Sequence, residues 1–76
     1  MTLPQEMRWS VDIPTRTAAG ERGVHIFVVG AATRGEAVDA AWQRANSSDA
    51  TRHRSGAVLA AARHHLTALP FPQSLL

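Results

Sequence analysis

One run of six residues, Val24-His25-Ile26-Phe27-Val28-Val29, constrains this chain more than any other segment. β-Branched and aromatic side chains at this density favour a strand. Side chains alternate across a strand, so Ile26 and Val28 take one face while Phe27 and Val29 take the other. Both faces are therefore apolar. A strand in a hairpin with one wet face is expected to alternate apolar with polar. Something must cover the second face.

The segment before it supplies a pairing partner. Met7, Trp9, Val11 and Ile13 alternate with Arg8, Ser10 and Asp12, the pattern of a half-buried strand over 7–13. Pro14 marks its limit or an edge position. The stretch 15–23 is rich in Gly and Thr and reads as the hairpin loop. One register pairs Ile13 with Val24, Val11 with Ile26 and Trp9 with Val28. A two-residue shift, turning near Ala19-Gly20, keeps the same faces. In either case Val24, Ile26 and Val28 point to the core, while Phe27 and Val29 join Arg8 and Ser10 outside.

The second half reads as helical. Thr33-Arg34-Gly35-Glu36 fits a capping box, with the Thr hydroxyl accepting from the amide three residues on. A helix is expected over 34–45, with Val38, Ala41, Trp42 and Ala45 as its apolar stripe. Another is expected over about 50–69, ending at Pro70 and Pro72. Its start is ambiguous, because Ser48, Asp49 and Ser55 can all cap it, and Gly56 weakens an early start. An apolar tail follows over 70–76. The resulting fold class is α+β: one antiparallel β-hairpin packed on two α-helices, order ββαα. The expected core is Trp9, Val11, Val24, Ile26, Val28, Val38, Trp42, Leu59, Ala62 and Leu66.

The length of 76 residues allows one small domain with a thin core. Fourteen residues are Ala, so the 45% hydrophobic content overstates the apolar area available. There is no cysteine, hence no disulfide and no thiolate metal site. No apolar run reaches membrane-spanning length, and the N-terminus lacks the pattern of a secretory signal. The expected location is cytoplasmic. Abundant Arg and Ala with no Lys suggest a bacterial or phage source.

A thin core, an open two-stranded sheet and a doubly apolar strand together point to a partner. The expected interface is Phe27, Val29, Arg8 and Ser10, used for a homodimer or for another protein. The competing explanation is that Phe71, Leu75 and Leu76 fold back over that face. The leading functional expectation is a small non-enzymatic interaction or regulatory module with no cofactor and no small-molecule substrate.

The alternative is nucleic-acid binding. Formal net charge is only +2, but residues 1–39 carry −1 and residues 40–76 carry +3. On a continuous helix, Arg52, Arg54, Arg63 and His64 form a basic stripe suited to phosphate contacts. The strand–helix–helix order resembles ribbon-helix-helix repressors in topology alone, since their ribbons expose polar residues to bases.

Other constellations carry little chemistry. His64 and His65 are adjacent and diverge by about 100° on a helix, and the chain has no HxxxH pair, so no metal site is expected. Ser10, Asp12 and His25 share a strand face in one register, but a triad needs a pocket and an oxyanion hole. The stretch 30–35 lacks the spacing of a phosphate loop.

Overall fold

The computed structural model describes residues 7–71. Four strands and two helices follow in the order β1 (Met7–Arg16), β2 (Arg22–Ala31), α1 (Arg34–Ala45), α2 (Ser48–His53), β3 (Val58–Leu59) and β4 (Thr67–Pro70), with a 3₁₀ turn at Arg63–His65. The chain is an α+β fold built on an antiparallel sheet.

Strand β1 is central. β2 pairs along its whole length on one side. β3 pairs with Thr15 and Arg16, and β4 with Trp9–Asp12, on the other side. β3 and β4 thus form one interrupted third column. Pro14 lies within β1 opposite this interruption. Its carbonyl accepts from the Ala60 amide at 2.8 Å. In an antiparallel ladder a residue's N–H and C=O face the same neighbour. The donor that Pro14 lacks therefore faces the gap between β3 and β4, where no ladder bond is needed. This is how a proline fits inside a central strand.

The hairpin register differs by one residue from both expected registers. Trp9 pairs with Val29, Val11 with Phe27 and Ile13 with His25. A slip of one residue moves every side chain of a strand to the opposite face. Phe27 and Val29 are consequently buried, whereas Val24 and Ile26 are 55% and 54% exposed. The physical reason lies in the turn. The Gly20 amide donates to the Thr17 carbonyl and the Thr17 amide to the Glu21 carbonyl, both at 2.9 Å. Gly20 adopts φ +87°. This is the three-residue hairpin loop with a left-handed third residue. Closing Ala18-Ala19-Gly20 between Thr17 and Glu21 fixes Arg16 opposite Arg22 and all pairs beyond it.

Helix α1 occupies the expected span. Thr33 Oγ1 accepts from the Glu36 amide at 3.2 Å, and Glu36 reaches back to the Ala32 amide. Its buried positions are Ala37, Val38, Ala41 and Ala45. Trp42 is only half-buried. Three alanines let the helix lie close on the sheet, and the bulky ring is left at the margin.

The long second helix does not form. α2 starts at Ser48, capped by the Ser47 hydroxyl, and ends at His53. The Gly56 amide bonds the Thr51 carbonyl and the Ser55 amide the Arg52 carbonyl, with Ser55 at φ 56° and Gly56 at φ 79°. This is a Schellman termination. Arg54 locks it, donating to the carbonyls of Ala57 and Ala45 at 2.9 and 2.7 Å. Residues 58–70 then turn to the free side of β1. An unpaired side of a central strand leaves buried amides and carbonyls without partners, and a helix over this segment would not supply them.

The core lies between the sheet and α1. It contains Trp9, Val11, Ile13, Phe27, Val29, Ala31, Ala37, Val38, Ala41, Ala45 and Ala68, with Leu59 and Leu66 packed at its edge. The Trp9 indole N–H donates to the Ala31 carbonyl at 3.0 Å. Val24, Ile26 and Val28 are outside it, as is Ala62. The expected packing of Leu75 and Leu76 lies outside the described residues.

The register separates two isoleucines sharply. Ile13 is fully buried, and Ile13→Ala is expected to cost about 2–5 kcal/mol. Ile26→Ala is expected to stay within about 0.5 kcal/mol in a monomer, as for surface sites generally. Urea denaturation of the two variants measures the difference, and equal losses would refute this register.

Candidate functional site

Two regions carry features beyond packing: the free edge of β2, and the rim where β2 meets α2.

The edge of β2 follows from the pairing just described. Pro14 directs its carbonyl to Ala60, just beyond β3 and away from β2, so the Pro14–Val24 pair exchanges no bonds, and neither do the other pairs of that parity. Val24, Ile26, Val28 and Gly30 therefore direct their amides and carbonyls away from β1. No strand among the described residues pairs on that side. The same residues present Val24, Ile26 and Val28 on the outer face of the sheet. One guard is present: Arg44 lies over the Phe27 ring at 5.9 Å and reaches the Val28 carbonyl at 3.5 Å. Native edges are commonly blunted by proline, bulges or charge. β2 has no proline and, from Gly23 to Ala31, no Asp, Glu or Arg.

The expected interface residues are split by this arrangement. Arg8 and Ser10 do face outward on β1, with Arg8 exposed and Ser10 half-buried. Phe27 and Val29 do not join them, because the one-residue register change turns them under α1. Their places on the outer face are taken by Val24, Ile26 and Val28. Gly20 was the available signal: a left-handed residue ending a three-residue loop sets the parity of the hairpin.

The expected basic stripe is dispersed. It required a continuous helix from 52 to 65, and the chain leaves helix geometry at Arg54. Arg52 lies 3.9 Å from Asp49. Arg54 is half-buried and holds carbonyls. Arg63 is paired with Asp39 of α1. His64 meets His65 on the 3₁₀ turn, the two rings tilted by 57° with centroids 4.2 Å apart.

The rim holds an arrangement the sequence did not disclose. His25 of β2 stacks on His53 of α2, with ring centroids 5.5 Å apart, and meets the Phe27 ring at a tilt with centroids 4.2 Å apart. Its Nδ1 is buried and has no hydrogen-bond partner among the described residues. A cavity of about 300 Å³ opens here, lined by Thr15, Thr17, Gly23, Val24, His25, His53, Arg54 and Ala57. Burial, then the positive charges of Arg54 and His53, hold the His25 imidazole below the ordinary value of 6.5. Asp12 and Ser10 belong to the opposite sheet face, so Ser10, Asp12 and His25 do not converge. Among the described residues no group of three or more His, Asp or Glu side chains is placed to hold a metal ion, and no helix is long and apolar enough to cross a membrane.

No family model, no curated protein and no solved structure matches the chain.

The lowered His25 value makes stability pH-dependent. The unfolded chain binds a proton at His25 more readily than the folded one, so folding is favoured with the imidazole neutral. That contribution is complete above about pH 6.5 and is lost as pH falls through the unfolded value towards the folded one. Thermal midpoints between pH 7.5 and 5 should fall for the native chain. His25→Asn should flatten this part of the profile, and an unchanged slope would exclude His25 as its source.

Proposed function

We propose that the protein is a self-associating interaction module that pairs through β2. The observation that supports this reading is the coincidence, on one strand, of outward-directed backbone groups and exposed Val24, Ile26 and Val28 side chains. An unpaired edge carrying three exposed aliphatic side chains is a template for strand addition.

The parity of the strand restricts how a second copy fits. Only residues whose amides face the edge can exchange bonds across it, so Val24, Ile26, Val28 and Gly30 must pair with one another or with Arg22. A two-fold axis through Ile26 sets Ile26 opposite its own counterpart, Val24 opposite Val28 of the second copy, and Arg22 opposite Gly30. No like charges meet in these pairs, and Arg44 must yield the Val28 carbonyl for Val28 to pair. Three aliphatic side chains from each copy then form one strip on the outer face, in cross-strand pairs worth roughly 0.2–1 kcal/mol each. An isologous contact of this type closes at two copies. Stacking the outer faces instead would bring Arg8, Arg16 and Arg22 of both copies together.

The reading has no enzymatic component. It supersedes Phe27 and Val29 as interface residues, and it retains the expected homodimer. A protein partner adding a strand to the same edge is the related alternative, and it shares the same residues.

Light scattering after size exclusion should give about twice 8.2 kDa at high concentration, with dissociation on dilution. Ile26→Lys should give a folded monomer. Ile26→Pro removes an amide that makes no bond within the chain and should do the same. A monomer for the native chain at high concentration would overturn self-association.

A further inference from the structure

The rim between β2 and α2 gathers basic groups with no anion to balance them among the described residues. Arg54 donates to two carbonyls and, more weakly, to the Thr51 hydroxyl, but meets no carboxylate among the described residues. These neutral partners take three of its five N–H donors and leave its charge uncompensated among the described residues. His25 and His53 stack beside it. Thr15 and Thr17 add hydroxyls to the cavity wall. Thr15 is the one buried polar residue of the described chain, at 8% exposure. Its Oγ1 lies beside the Gly23 backbone, and a Cβ at Gly23 would approach it to 3.0 Å. Thr17 and Thr15 line the same cavity, which contains no acidic residue.

We propose that this cavity binds a small oxyanion, of the phosphate or carboxylate class, held by His25, His53 and Arg54 with Thr15 at its floor. A volume of about 300 Å³ lies at the small end of ligand sites and suits a compact ion rather than a nucleotide. Arg54 is pre-positioned by the carbonyls of Ala45 and Ala57, so its charge needs no reorganisation to meet the ligand. Its guanidinium disfavours a metal cation in the same place. The groups facing His25 are His53 and Arg54 from the α2 side and Phe27 from its own strand; Arg44 lies beyond Phe27. All the charged ones are basic. An anion among them favours the protonated imidazole and reverses the present balance at His25. Binding therefore takes up protons and tightens as pH falls. Gly23 keeps the floor open, since any side chain there crowds the Thr15 hydroxyl. The inference does not depend on self-association through β2.

The test is an NMR titration of the imidazole resonances with inorganic phosphate and, separately, with acetate, at pH 6 and pH 8. The expected result is saturable binding that shifts His25 and His53 together, leaves His64 and His65 still, and is stronger at pH 6. The phosphate and acetate arms show which oxyanion the site prefers. His53→Ala, at an exposed helix end, should keep the fold by circular dichroism and weaken binding about tenfold, as expected for one charge-assisted hydrogen bond. Gly23→Ala should weaken it independently of the histidines. Shifts spread over all four histidines without saturation mean an adventitious ion only and overturn the proposal. So does affinity that is unchanged in folded His53→Ala.

Discussion

The turn from Thr17 to Glu21 governs the rest of the molecule. It closes a three-residue loop with Gly20 in the left-handed region, and a left-handed residue there is cheap only for glycine. The loop fixes the parity of the hairpin. Parity decides that Phe27 and Val29 meet α1, and that Val24, Ile26 and Val28 meet solvent. It also decides which amides of β2 are left at the edge. One backbone conformation thus sets the core, the outer face and the unpaired ladder together.

The second constraint is the far side of β1. A buried central strand needs partners on both sides. The chain meets this with two short strands separated by a 3₁₀ turn, and it places Pro14 at the break. Arg54 and the Schellman turn redirect the chain from α2 to that side. The same redirection brings His53 against His25 and leaves Arg54 facing a cavity. The basic rim is therefore a by-product of the way the chain completes its sheet, and its chemistry follows from that geometry.

The fold was legible where local signals were strong. The two first strands, the capping box at Thr33 and Glu36, and the span of α1 can all be read from spacing and residue type. The second helix was not, because Val58, Leu59, Ala62, Leu66 and Leu69 satisfy a helical stripe and their true arrangement is irregular. Of these, only Leu59 and Leu66 pack against the core, while Leu69 faces outward on β4. The apolar excess of strand two is visible in the sequence, but the structure buries the opposite face from the expected one. Arg8 and Ser10 remained outside, since β1 alternates plainly and its parity is not in question. The meeting of His25 with His53 and Arg54 had no local signature, because it depends on residues about thirty positions apart.

By itself the sequence determined the class of the fold, the presence of the hairpin's two strands, the capped first helix and the presence of one strand too apolar for a single covered face; it left each strand several residues short of its full ten. Those properties reside in side-chain periodicity and in short-range capping, which act within a few residues. Tertiary structure alone decided which face of β2 is covered, what pairs with the open side of β1, and which basic residues converge. Each of these depends on hydrogen-bond parity across strands or on where a distant segment must go to satisfy buried backbone groups. Neither quantity is a property of any short stretch of chain.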